Sequence, residues 1–153
     1  MLAYDFNLYP NCTWALLLES ANNMATILRS DGNRPWAPIV GYSRAVRMGN
    51  LVEVSGTSST TRDGQVMHPN DAYGQMRYIL DEIKRAIEEV GATIENTIRT
   101  RVFMMNIEDW PAVGKAHGEV FSSIRPACSF VEIGRLMLPE LCVEVEATLW
   151  IPE

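Results

Sequence analysis

The chain is poor in the residues that build metal and redox sites. It has 3 cysteines and 2 histidines in 153 residues. Cys12, Cys128 and Cys142 show neither C-x-x-C spacing nor the His/Cys pairing of a zinc site, so no metal and no cofactor is expected. An odd number of scattered cysteines also argues against a disulfide framework, and the expected location is the reducing cytoplasm. No apolar run approaches the roughly 20 residues that cross a bilayer, so no membrane partner is expected. The first 20 residues carry Asp5 and Glu19 but no Lys or Arg, unlike the basic start of a secretory leader. Basic residues are in deficit as well: 13 Lys and Arg against 19 Asp and Glu give a net charge of −6. They are dispersed as Arg44 and Arg47, Lys84 and Arg85, Arg99 and Arg101, without the clustering that tracks a phosphate backbone. Nucleic acid is therefore not an expected partner. A glycine-rich phosphate loop and an H-E-x-x-H helix are also absent.

What is present reads as one ordinary globular domain, with 47% hydrophobic and 21% charged residues. Residues 1–35 read as an N-terminal extension and residues 36–153 as the domain. Within the extension Trp14, Leu17, Leu18, Ala21, Ala25 and Leu28 fall near a 3.6-residue period. Two readings stay open there: a short amphipathic helix docked on the domain or on a neighbouring subunit, or an irregular start. The breaker-rich run Asp31-Gly32-Asn33-Arg34-Pro35 reads as the linker.

Residues 41–48 and 51–55 are strand-like and joined by Gly49-Asn50, a hairpin turn ending at Ser55-Gly56. A polar loop over 57–70 leads into a helix over 71–90, with Asn70 or Asp71 as its cap. Met76, Leu80, Ile83, Ile87 and Val90 make its apolar stripe, and Gly91 stops it. Residues 97–105 read as a strand. Asp109 is expected to cap a second helix with Pro111 in its first turn, and Trp110 and Phe121 are expected in the core. Residues 128–134 and 141–151 read as the last strands. Alternation puts Val143, Val145, Ala147 and Leu149 on one face of the final strand, with Cys142, Glu144, Glu146 and Thr148 on the other. That second face is mixed rather than uniformly polar, as it would be if other subunits covered it.

Several pieces of the chain, in their order and spacing, resemble the RidA (YjgF, or L-PSP) family. They are Gly41-Tyr42, Val54-Ser55-Gly56, Gly91-Ala92, Thr100-Arg101-Val102-Phe103, Pro126-Ala127, Val131-Glu132 and Glu144-Val145-Glu146-Ala147, covering about residues 36–151. The resemblance implies an α+β fold: a single six-stranded, mostly antiparallel sheet with two helices on one face. It also implies a homotrimer with ligand clefts between adjacent subunits. The best-known members hydrolyse reactive imines and enamines; the family's historical ribonuclease label does not suit this charge balance.

In deaminating members, an arginine after Pro-Ala grips the substrate carboxylate, a tyrosine and a serine line the site, and a glutamate on the last strand activates water. The matching positions kept here are Tyr42, Ser55 and Glu144. Cys128 stands in place of the arginine, Gly114 where many members have asparagine, and Phe130 where they often have cysteine. A neutral thiol cannot replace charge-assisted hydrogen bonds typically worth about 1.5–3 kcal/mol each. Arg101, on a neighbouring strand, is one candidate for the missing charge. The other reading has Arg99 and Arg101 paired with Glu144 and Glu146 across strands. Cys128 is read as a small buried residue in preference to a nucleophile served by His117. His117 is read as a core or interface histidine bonded to a backbone carbonyl. His68 is expected to face solvent.

The expected function is metal-free hydrolysis of a small imine, enamine or related metabolite, a deaminase-like reaction. Tyr42, Ser55 and Glu144 act on substrate and water, while Cys128, Arg101, Phe130 and Gly114 shape the pocket. The alternative is a non-catalytic small-molecule-binding or regulatory trimer on the same scaffold.

Overall fold

The computed structural model describes residues 26–153. Six strands form one sheet: β1 (Ile27–Ser30), β2 (Ala45–Met48), β3 (Leu51–Ser58), β4 (Thr97–Met104), β5 (Ala127–Glu132) and β6 (Val143–Trp150). Their order across the sheet is β1-β2-β3-β6-β4-β5. Every neighbouring pair is antiparallel except β4 and β5. That one parallel pair follows from chain geometry, because a helix lies between the two strands and returns the chain to the same end. Among the described residues three α-helices accompany the sheet: a single-turn α1 (Ala37–Val40), α2 (Ala72–Glu89) and α3 (Trp110–Phe121). This is the expected α+β architecture.

Helix α2 forms where the sequence pattern places it. Asp71 is its N-cap, accepting from the Gly74 N–H at 3.0 Å. Gly91 follows its end at φ 75°, a conformation that costs glycine little. Its stripe of Met76, Ile79, Ile83 and Ile87 is fully buried against the sheet. Each such side chain contributes about 1.5–3 kcal/mol through area removed from water. On β6 the expected alternation holds: Val143, Val145, Ala147 and Leu149 are buried, Glu144, Glu146 and Thr148 are half-buried, and Trp150 is exposed. The helices pack on the first set; the second set looks out from the open face.

Some local expectations need correction. Ile27–Ser30 is an edge strand, paired from Ile27↔Met48 to Ser30↔Ala45. Leu28 therefore belongs to the sheet and not to a helix, because the outer edge of β2 offers its backbone groups partners that helical spacing alone does not reveal. The other positions of the expected helix lie outside the described residues. Residues 41–44 do not join β2; Gly41 instead ends α1 at φ 77°. Strand β3 continues through Ser55-Gly56 to Ser58, absorbing a register shift between Val54 and Thr57. Asp109 makes no side-chain cap bond to α3. Asn106 accepts from Glu108 N at 3.2 Å and caps the preceding single turn instead. Trp110 is 57% exposed, whereas Phe121 is buried as expected.

Candidate functional site

The bulge in β3 organises one group of polar side chains. Tyr42 lies in the turn between α1 and β2. Its hydroxyl oxygen accepts from Arg44 Nη2 at 2.9 Å and from Trp36 Nε1 at 3.0 Å. Arg44 is 7% exposed. Its Nη1 donates to the Gly56 carbonyl and to Thr57 Oγ1, the latter at 3.1 Å. Ser55 sits on the bulge itself, donating its hydroxyl to the Ser43 carbonyl at 2.8 Å. Glu144 projects from β6 over Gly56, so close that a Cβ on Gly56 would collide with its carboxylate. Only glycine allows the strand and the carboxylate to meet there. Tyr42, Ser55 and Glu144 are thus gathered around Arg44 and the Gly56 backbone.

The electrostatics of this group differ from those of a surface carboxylate. Burial lifts the Glu144 carboxyl above its ordinary value, the Arg44 charge pulls it back, and Glu146 adds to the rise. A carboxylate raised in this way is a stronger base than a solvated one.

Cys128 and Phe130 point to the other side of the sheet. In the parallel register Cys128 pairs with Thr100 and Phe130 with Val102, residues of the buried, helix-covered face. Cys128 is exposed at the edge, so the expectation of a buried cysteine is corrected. Its Sγ lies 3.8 Å from His117 Nε2, and the same nitrogen lies 3.0 Å from Thr100 Oγ1. His117 is 9% exposed and partnered by side chains rather than by a backbone carbonyl. Burial lowers its pKa.

Gly114 lies three residues before His117 on α3, with room at its Cα and the Trp110 ring as the nearest neighbour. Arg101 is on the open face, its Nη1 2.9 Å from Glu146 Oε2. The register sets Arg101 opposite Glu146 and Arg99 opposite Thr148, with Phe103 opposite Glu144. Half of the expected cross-strand pairing is therefore formed, and Glu144 is not part of it. His68 is exposed. Among the described residues no three His, Cys, Asp or Glu side chains are disposed to hold a metal ion, and no helix is long and apolar enough to cross a membrane.

Sequence reasoning overlooked Arg44, treating it only as one of the dispersed charges. Spacing carries little sign of it, because Tyr42 lies in a turn and the carbonyl partners of Arg44 are presented only by the β3 bulge. A cavity of about 170 Å³ also touches Arg44, lined by Arg34, Glu82, Arg85 and Glu89 among others, but by none of Tyr42, Ser55, Glu144 or Cys128.

A six-stranded sheet carrying two long helices, with a carboxylate held over a glycine bulge, defines a class of small α+β proteins. The profile of the family described as Endoribonuclease L-PSP matches residues 32–151. The chain belongs to this family, the RidA/YjgF family. An uncharacterized Streptomyces coelicolor protein is 34% identical over 120 residues, 78% of this chain and 89% of the relative. The 3-aminoacrylate deaminase RutC of Acinetobacter baylyi is 29% identical over 119 residues, 78% of this chain and 92% of that protein. Among solved structures, Rv2704 of Mycobacterium tuberculosis superposes with a TM-score of 0.74 at 36% identity, covering 82% of this chain and 100% of that one. The YjgF gene product of E. coli superposes with a TM-score of 0.70 at 28% identity, covering 80% and 97%.

Proposed function

We propose that the protein hydrolyses a small imine or enamine, releasing ammonia and a carbonyl compound, with Glu144 as the base that activates water. The observation carrying this reading is the half-buried Glu144 carboxylate, raised in pKa and set beside the Arg44–Tyr42 pair. The Acinetobacter relative, a 3-aminoacrylate deaminase, supports an enamine or its imine tautomer as the substrate class.

The chemistry follows from the hydrogen bonds. The Tyr42 oxygen already accepts two, from Arg44 and Trp36. Its own O–H is left to donate, and it donates to the substrate. Water adds to the C=N carbon while its proton passes to Glu144. The same carboxyl returns that proton to nitrogen, giving the carbinolamine. It then takes the hydroxyl proton and passes it to nitrogen as the C–N bond breaks, so that C=O forms and ammonia leaves. Positioned general-base catalysis of this type contributes on the order of 10²–10⁴-fold. Ser55 holds the bulge on which Glu144 rests. No metal enters this sequence of steps.

Glu144 faces the open side of the sheet and Cys128 the helix side, so a cleft using both draws them from two copies of the chain. The open face carries Met48, Leu51, Val131 and Trp150, all exposed in a single copy. Apolar residues on an uncovered sheet face favour packing against another copy, and a homotrimer is the assembly we propose. Cys128 and Phe130 shape the cleft from one copy and Gly114 leaves it room. The thiol in place of a guanidinium favours a substrate anchored without a bidentate carboxylate contact.

The test is release of carbonyl product from imines and enamines generated in solution, with and without protein, in a panel that includes substrates lacking a carboxylate. Acceleration is expected for at least one of them. Saturable binding without acceleration anywhere in the panel would replace this reading with a binding module. In the same assay Cys128→Arg is expected to lower KM for 2-iminobutyrate.

A further inference from the structure

His117, Thr100 and Cys128 form a cluster separate from the Tyr42, Ser55 and Glu144 group. The imidazole is enclosed: Phe121 stacks at 4.5 Å between ring centroids, and Phe130 meets it edge-on at 6.0 Å. Burial is the one cause acting on its pKa and lowers it, with no charged group contributing. The ring therefore favours its neutral form, in which one nitrogen carries a free lone pair. Its Nε2 is the nitrogen that faces both Thr100 Oγ1 and Cys128 Sγ. In the tautomer protonated at Nδ1, the Nε2 lone pair is shared between the Thr100 hydroxyl and the more distant thiol. Cys128 itself stands on edge strand β5 and is exposed in the protomer. An accessible thiol in contact with a buried neutral imidazole is the arrangement that generates a nucleophile by general-base assistance.

We infer that Cys128 and His117 form a second reactive centre, whose thiol adds to soft carbon electrophiles of the α,β-unsaturated carbonyl class. Sulfur bonds to the β-carbon while the π pair of the C=C bond moves to the α-carbon. The thiol proton passes to His117 Nε2, and the imidazolium then gives it to the α-carbon. Nothing leaves, and neither oxidant nor reductant is consumed. A polarisable sulfur on the strand face that also carries Phe130 suits an uncharged, polarisable acceptor. Thr100 is a positioning residue, holding the ring with Nε2 toward the sulfur. The pair stands at the side of the proposed cleft that Cys128 lines, and its addition chemistry uses no group of the Glu144 side.

The experiment treats the full-length protein with limiting N-ethylmaleimide and reads modification at each cysteine by peptide mass mapping, from mildly acidic to neutral pH. Free N-acetylcysteine is the external reference. Cys142, whose thiol burial pushes up in pKa, is the slow internal one. Cys128 is expected to react faster than both, and to keep its advantage into the acidic range because His117 resists protonation. His117→Gln is expected to lose on the order of 10²-fold, the lower end of general-base assistance. Thr100→Val, which keeps the imidazole, gives a smaller loss and carries the test if the histidine variant fails to fold. Reaction at Cys128 no faster than at N-acetylcysteine would overturn the proposal. So would wild-type rates and pH dependence in a folded His117→Gln or Thr100→Val protein.

Discussion

Glu144 rests directly on Gly56, its carboxylate occupying the space a side chain at that position would need. The contact joins β6 to the bulge of β3 and fixes where the carboxylate points. The atom in the way of a new Cβ is the far end of a flexible side chain, so Gly56→Ala moves the carboxylate rather than the fold. We expect the variant to stay folded, with a thermal midpoint close to wild type. Its kcat for imine hydrolysis should fall by on the order of 10²-fold, a typical loss when a general base is displaced. Unaltered kcat in the alanine variant would separate Glu144 from catalysis.

Tyr42→Phe removes the hydroxyl that two donors share while keeping the ring that lies 5.3 Å from the Arg44 guanidinium carbon. Two partly buried donors then lose their acceptor, costing about 1–3 kcal/mol of stability by urea titration. If the Tyr42 O–H donates to substrate, kcat/KM falls further than this destabilisation accounts for under fully folded conditions. An undiminished kcat/KM would make Tyr42 a structural hydroxyl only.

Glu144 also links stability to pH, with a sign opposite to that of a salt-bridged carboxylate. Its folded pKa is raised, chiefly by burial, above an unfolded value near 4.3. The folded state therefore holds the proton more tightly. Ionised Glu144 costs stability above its folded pKa, and this cost disappears as pH falls through that value toward the unfolded one. Glu144→Gln should accordingly melt at or above the wild-type temperature at neutral pH, with the gap closing on acidification. A gap that is independent of pH would contradict the raised pKa.

Arg101 and Glu146 form an ion pair whose side chains are 49% and 36% exposed in the protomer. Such pairs contribute at most about 1 kcal/mol. Arg101→Met should cost no more than this in urea unfolding and leave KM unchanged. A rise of about tenfold in KM, equal to 1.4 kcal/mol of lost binding, would show instead that Arg101 leaves Glu146 to hold the substrate.

The sequence made some of these relationships legible and hid others, for physical reasons. The two-residue period of Val143 to Leu149 is read directly from the chain, because a half-buried strand must alternate. The stripe and caps of α2 are equally local. Strand β1 was hidden because Ile27 and Leu28 pair with β2 through backbone groups, which carry no sequence pattern. The opposed facing of Cys128 and Glu144 depends on the register of β5 against β4, a long-range relationship that spacing alone does not encode. Arg44 was missed because its partners are carbonyls exposed by the β3 bulge, which appear only once the strand is folded. Tyr42, Ser55 and Glu144 were singled out from the resemblance, and the fold brings those three together.

The most direct test compares wild type and Glu144→Gln for ammonia release from an imine or enamine that the wild type accelerates, with the oligomeric state monitored by light scattering. The account predicts that the variant keeps the assembly of the wild type and loses on the order of 10²–10⁴-fold in kcat. It also predicts that wild-type kcat declines on acidification at a pH above the ordinary glutamate range. Equal turnover by wild type and Glu144→Gln in the same assembly would contradict it.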